Sequence, residues 1–202
     1  MAQAVALMDL RHCVITSVNR DELVDGGAGI WAQTIRSVKD AAPSITLETL
    51  TGDFKGNRDL LLLVLEAGPD VYNHNLETVE RISRAVRPQA GFSRSLQVLE
   101  WAAAAGAVTK SGLMLGIGEE KPEIAESLKR LRDVGTKILT LGQYLQPSPK
   151  HLPIHRWVTP DEFAQWKSFA EELGFEAVAS GPMVRSSYHA DESARLVSRS
   201  GK

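Results

Sequence analysis

"TKSGLMLGIGEEKPEIAESLKRLRDVGTKILTLGQYL", residues 109–145, decides the fold. Its opening run, 109–117, is apolar and rich in strand-type residues. Pro122 then starts a helix whose Ile124, Leu128 and Leu131 fall on one face, and Gly135 ends it. A second apolar run, 137–145, follows at once. Strand, helix and strand in this order predict a βα unit, two parallel strands joined by a right-handed crossover.

Outward from this unit the alternation continues. Strand-type runs recur at "CVIT" (13–16), "SITLETL" (44–50), "DVYN" (70–73) and "FEAVAS" (175–180). Between them, a helix is expected from about Asn57 to Glu66, stopping at Gly68, and another through Leu96, Leu99 and Ala103, ending at Gly106. Phe163, Trp166, Ala170 and Leu173 mark a further helix, closed by Gly174. Its start, Thr159-Pro160 with Glu162, reads as a capping box. Such units suit either a doubly wound sheet or a partial (β/α) barrel, and in both the ligands sit outside the carboxyl ends of the strands. No linker, repeat or low-complexity segment interrupts the pattern, so one domain is expected over 1–202.

Composition narrows the function. The chain is 43% apolar and 24% charged, with a net charge of −2 and no basic run longer than a pair. That disfavours a phosphate-tracking nucleic-acid surface. No apolar run approaches the roughly 18 residues of a membrane span. "MAQAVALMDLRH" lacks a basic n-region and a cleavage motif, so no secretory signal is read. The single cysteine, Cys13, excludes an internal disulfide and fits a reducing cytoplasm. Ala2, Ala4, Val5, Ala6, Leu7 and Met8 resemble the middle of a helix with no cap before them. They are either a frayed first turn or the remainder of a longer element.

The strand ends carry the polar groups. "NHNLETV" (73–79) gathers Asn73, His74, Asn75 and Glu77. A carboxylate there can accept two hydrogen bonds from a ribose diol, and an amide both donates and accepts. Equally, Asn75 or Thr78 would cap the following helix, and His74 alone reads as a packed, hydrogen-bonded histidine. Gly112, Gly116 and Gly118 let a strand and its loop approach a flat ligand, or simply form a glycine turn. The G-x-G-x-x-G fingerprint is absent. Gln143, Tyr144 and Gln146 either line a pocket or lie on the surface. Asp21, Glu22 and Asp25 lack the ligand pattern of a calcium loop and read as a solvated turn. Behind the Gly-Pro bend of "GPMVRSSYHADES" (181–193), Arg185, Ser186, Ser187, Tyr188 and His189 are either solvated or bind something.

Taken in order, "SVNRDELVDGGAG", "GPDVYNHNLETV", "RPQAGFSRSLQVL", "TKSGLMLGIGE", "LTLGQYLQPSPKHLP" and "GPMVRSSYHADE" resemble the lipoyl synthase family of radical S-adenosylmethionine enzymes. The likeness covers about residues 5 to 193. "NHNLET" with the glycine strand also resembles biotin synthase, which lacks the RSSY tail. The resemblance implies an α/β fold, a partial (β/α) barrel of parallel strands, here without its first strand and cluster loop, with residues 181–202 as a C-terminal tail. It implies a sulfurtransferase that inserts two sulfurs, at C6 and C8 of an octanoyl chain on an octanoylated lipoyl carrier domain or a glycine cleavage H protein. The implied cofactors are S-adenosylmethionine and two 4Fe–4S clusters, one forming the 5′-deoxyadenosyl radical and the other consumed as sulfur source.

By the same matching, Glu77 binds the ribose hydroxyls of S-adenosylmethionine and Asn75 lies between cofactor and substrate. Gly112, Gly116 and Gly118 pass beneath the adenine and methionine portions, and Arg94 contacts a carboxylate. Ser187 ligates an iron of the auxiliary cluster, with Ser186 as the alternative and Arg185 steadying the site. A hard serine oxygen beside thiolates would make that iron the most easily released.

The cysteines depart from the family. Its clusters are held by C-x4-C-x5-C and C-x3-C-x2-C motifs, and neither is present. Cys13, inside "HCVIT", is expected to be a small buried core residue. Met1 is therefore expected to fall within the first barrel helix, the chain to match the C-terminal two-thirds of the enzyme, and a missing N-terminal half to be its partner. Alone it is expected to make no radical, and the "CVIT" strand to present an unpaired edge. The alternative is a non-catalytic relative binding S-adenosylmethionine or the lipoyl carrier domain.

Overall fold

Six parallel strands follow one another in chain order across a single sheet in the computed structural model, which describes residues 1–200. They are β1 (His12–Thr16), β2 (Thr46–Leu50), β3 (Val71–Asn73), β4 (Thr109–Leu115), β5 (Ile138–Gln143) and β6 (Ala177–Gly181). A doubly wound sheet reverses its strand order at a switch point; this one never does. Crossovers of one hand in one direction curl the sheet into an open barrel wall, with β1 and β6 as its edges. The structure thus decides between the two architectures that the periodicity left open.

The helices are α1 (Ala2–Leu7), α2 (Ala28–Ala41), α3 (Arg58–Leu65), α4 (Glu80–Val86), α5 (Phe92–Ala104), α6 (Lys121–Asp133), α7 (Pro160–Glu172) and α8 (Ala190–Ser200). The outer face of the sheet buries two apolar clusters. Trp31, Ile35 and Val38 of α2 meet Leu61 and Val64 of α3 and Leu47 of β2. Ile124, Leu128 and Leu131 of α6, the face read from the sequence, meet Leu139 and Leu141 of β5 and Phe163 of α7. A third, small cluster lies at the opposite end from the site. Val71, Ile138 and Ala177, the first residues of β3, β5 and β6, pack against Ala194 and Val197 of α8. That helix lies against both β6 and β1.

Helix ends show where local signals were shared out differently. Asn57 caps α3, its side-chain oxygen accepting from Asp59 N and Leu60 N at 3.0 and 3.3 Å. At α7 only half of the expected box forms: Thr159 Oγ1 accepts from Glu162 N at 3.2 Å. The Glu162 carboxylate instead receives both Arg156 Nη groups, at 2.7 and 2.8 Å, and Trp166 Nε1. A charge-assisted bidentate pair outcompetes a neutral backbone donor. The reciprocal box lies at α6, between Glu120 and Glu123. Neither Asn75 nor Thr78 caps α4, whose N-cap is Val79. Cys13 is half-buried rather than buried, and burial pushes its thiol up, away from the reactive thiolate. Residues 201 and 202 of the expected tail lie outside the described residues.

Candidate functional site

Strand β4 carries Gly112 opposite Thr140 of β5, and the segment after β3 runs on alongside β4, parallel to it, as far as a bridge between Glu77 and Leu113. Glu77 N donates to Gly112 O at 3.0 Å, and Met114 N donates to Glu77 O at 2.8 Å. This one bridge holds Glu77 at φ +69°, a left-handed conformation that non-glycine residues seldom adopt. Strain of that kind persists only where the surroundings enforce it, and it accumulates at ligand sites. A Cβ on Gly112 would overlap Thr140 Oγ1 and come within 3.1 Å of Asn75 Oδ1. Glycine is therefore what lets Asn75 close over the strand.

The result is a cavity of about 320 Å³ at the carboxyl ends of the strands. Asn75, Glu77 and Gly112 form one side; Gly142, Arg185 and Ser186 form the other. Leu50, Met114, Leu145 and Val184 supply apolar wall. The last loop comes this close because Gly142 has no side chain: a Cβ there would strike Val184 O. Arg185 Nη1 donates to that same carbonyl at 2.7 Å.

Two groups face the cavity with unspent capacity. Asn75 Oδ1 is buried and accepts no hydrogen bond. The Glu77 carboxyl is half-buried; desolvation outweighs the opposing pull of Arg87 and the Asn75 amide and leaves its pKa above the usual carboxylate range. An acceptor pair of this kind suits a ligand presenting adjacent hydroxyls. His74 is different. Its Nδ1 donates to Thr51 O at 2.9 Å, so Nε2 accepts from Ser95 Oγ at 2.9 Å. Desolvation, aided by Arg87, pulls its pKa down to about 4. It is the packed, hydrogen-bonded histidine that the residue taken alone suggested.

The other residues read from the sequence divide. Gly116 and Gly118 do not line the cavity; they shape the loop beyond it. Their amides, with Ile117 N, donate to the buried Glu119 carboxylate at 2.6, 2.9 and 3.1 Å. That nest of donors is already occupied by a carboxylate of the chain. Arg94 lies off the cavity: its Nε donates to Asp53 Oδ2 at 2.6 Å, and it also reaches Gln89 O. Ser186 shares the cavity with Glu77, whereas Ser187 lines a second opening of about 500 Å³, with His12 and Cys13 of β1 and His189 and Asp191. Gln143 lines the cavity, as one of the two readings had it, whereas Tyr144 does not; both are buried and pin the loop that follows, Gln143 Nε2 donating to Arg156 O and Tyr144 OH to Leu152 O. Gln146 is exposed and donates to His151 O.

Sequence reasoning missed Glu119 and, beneath the cavity, a buried charge pair. Lys110 Nζ bridges both Glu48 oxygens, at 2.9 and 3.0 Å, and Asn73 Nδ2 donates to Oε1 at 2.7 Å. Burial pushes the Glu48 carboxyl up, but His12, Lys110 and Asn73 outweigh it and hold it below the usual range. The alternation of charged residues with apolar ones in "TLETL" and "TKSGL" was the available signal. Among the described residues no group of three His, Cys, Asp or Glu side chains could hold a metal ion, and the sequence has one cysteine. These residues do not by themselves fit an iron–sulfur cluster. They do fit a nucleoside: an orphaned amide oxygen, a half-buried carboxylate and a strand stripped of its side chain meet at one cavity.

An open parallel barrel with such a rim is the architecture of a radical SAM protein, and the Radical SAM superfamily model matches residues 1–131. Solved structures with this fold include methylornithine synthase (PylB), with a TM-score of 0.68 at 11% identity, covering 99% of this chain and 71% of that one. The hydrogenase maturase HydG gives 0.69 at 13% identity, covering 97% and 46%. Among curated proteins, lipoyl synthase of Rubrobacter xylanophilus is 54% identical over 194 residues, which is 95% of this chain and 60% of that protein. Lipoyl synthase of Bacteroides thetaiotaomicron is 49% identical over 195 residues, 96% and 69%. The chain belongs to the lipoyl synthase family. It spans 60 to 69% of the length of these two relatives.

Proposed function

We propose that these residues form the part of a lipoyl synthase that binds S-adenosylmethionine and faces the octanoyl chain of a lipoyl carrier domain or glycine cleavage H protein. The carrying observation is the meeting of Asn75, Glu77 and Gly112 at one cavity. Glu77 accepts from the ribose hydroxyls. The free oxygen of Asn75 lies between cofactor and substrate, and Gly112 gives the nucleoside a flat floor. Gly116 and Gly118 act at one remove, by shaping the loop that Glu119 holds. Leu50, Met114, Leu145 and Val184 suit an alkyl chain. When bound and given one electron by a reduced iron–sulfur cluster held outside these residues, S-adenosylmethionine would supply the 5′-deoxyadenosyl radical that abstracts hydrogen at C6 and C8. Ser187 is the one ligand this chain would offer an auxiliary cluster, with Ser186 as the alternative; the thiolates of both clusters would come from outside these residues. A cytoplasmic location accords with the single cysteine. Among the described residues no helix is long and apolar enough to cross a membrane.

Calorimetry with S-adenosylmethionine tests the reading. Saturable binding is expected, weakened about tenfold or more in Glu77→Gln, the worth of a charged hydrogen bond. A wild-type chain that does not bind would overturn the proposal. Anaerobic reconstitution should leave essentially no iron or sulfide on this chain alone. The lone cysteine also keeps a binding-only relative in view. Supplying a cysteine-bearing N-terminal segment in trans, then assaying an octanoylated peptide, separates the two: turnover marks the enzyme, and binding without turnover marks the relative.

A further inference from the structure

Arg87 sits at the C-cap of α4, 12 residues beyond Asn75 in the cavity wall it serves. Its Nη1 donates to Asn75 O at 2.6 Å, and it also reaches Ser95 Oγ at 3.4 Å. Ser95 is the fully buried residue whose hydroxyl holds His74 Nε2. The guanidinium therefore braces the backbone just before the left-handed Glu77, from the side away from the cavity, whose lining it does not join. Its positive charge also draws the Glu77 carboxyl down, against the larger upward push of burial.

We propose that Arg87 is a positioning residue: it fixes the 75–77 turn through the Asn75 carbonyl and serves as the counter-charge that keeps Glu77 a hydrogen-bond acceptor for a ligand's vicinal hydroxyls. This rests on the nucleoside reading of the cavity. Geometry and charge act together here. A half-buried carboxyl with no cation nearby drifts toward the protonated form, which accepts poorly. The other charges in the neighbourhood are Arg185 on the opposite wall and, behind Arg87, the Asp53–Arg94 pair. Among the described residues none of these hydrogen-bonds to the 75–77 backbone, as Arg87 does.

The test reads Glu77 directly. Carbon-13 NMR of the Glu carboxyl groups, with Glu77 assigned by Glu77→Gln, gives its titration midpoint in the 202-residue chain. In Arg87→Gln the midpoint should rise by about one pH unit, and in Arg87→Lys it should return most of the way. Affinity for 5′-deoxyadenosine at pH 7 should fall about tenfold in Arg87→Gln, while 2′,3′-dideoxyadenosine, which lacks the diol, is bound equally by both forms. A folded Arg87→Gln with an unmoved Glu77 midpoint overturns the proposal. Should that variant not fold, the wild type carries the test: the Arg87 guanidinium nitrogen resonances must shift with the Glu77 midpoint, and silence there overturns it equally. If the wild type binds no nucleoside, the functional reading fails, while the Glu77 midpoint still judges the Arg87–Glu77 coupling.

Discussion

Lys110 and Glu48 face each other across the inside of the barrel, their charged groups 2.9 Å apart and their side chains 0% and 1% exposed. His12 Nε2 stands a little farther off, 3.7 Å from the Glu48 carboxylate. Such a pair is costly to form but costlier to break, because a lone partner is left charged in a poorly solvated interior. Lys110→Met should therefore destabilise the chain by about 3–5 kcal/mol, and Glu48→Gln combined with Lys110→Met by much less. Urea unfolding at pH 7 checks this; single-variant costs that simply add would contradict it.

Gly112→Ala tests the close approach at the cavity. Its added methyl meets Thr140 Oγ1 and Asn75 Oδ1. A loss of about 1–3 kcal/mol in stability is expected from overpacking. S-adenosylmethionine binding should fall more steeply, because Asn75 is displaced into the space the ligand needs. Adding Thr140→Ala should recover part of the stability without restoring binding. Recovery of both would show that the Asn75 contact is unimportant.

His74 gives stability a pH dependence with a definite sign. Its folded pKa is pulled to about 4, below the usual 6.5. Between those values the unfolded chain takes up a proton that the folded one refuses, so stability falls as pH drops through this window. The loss approaches about 3 kcal/mol and levels off below pH 4 for this group. The Glu48 carboxyl, held below its ordinary value, adds its own loss only at lower pH. Urea midpoints at pH 7.5, 6 and 5 should decline in the wild type and stay level in His74→Gln.

Glu119→Ala strands the amides of Gly116, Ile117 and Gly118. A cost of about 3 kcal/mol is expected, with much faster hydrogen exchange at those three positions. Glu119→Gln keeps one acceptor oxygen and should fall between. Unchanged exchange in the alanine variant would mean that water replaces the carboxylate without penalty.

Much of this was legible in the sequence because it is periodic. The apolar stripe Ile124–Leu128–Leu131 and the glycines at 135 and 174 set helix faces and ends by local rules. The direction of curl was not, since strand order depends on which edge each crossover joins. The cavity residues were readable as polar groups after strands, but the partition between Ser186 and Ser187 was not: adjacent residues on a turn point different ways, and the choice is made by Val184 settling over Gly142. The Glu48–Lys110 pair escaped because a charged residue in a short segment looks like surface until its partner, 62 positions away, is placed beside it; Glu119 escaped because its partners are backbone amides of its own loop, which a pattern of side chains does not show. Glu162 lost its expected capping role to Arg156, six residues earlier, because the pattern does not say which nearby donor a carboxylate turns to.

Helix α8 spans the gap between β6 and β1 without a single rung of the ladder that joins the other strands. Side-chain packing by Ala194 and Val197 is weaker glue than a hydrogen-bonded seam, so this joint is the natural place for the wall to part. Shortening the chain before Ala190 would bare the starts of three strands at once and open an apolar surface to self-association.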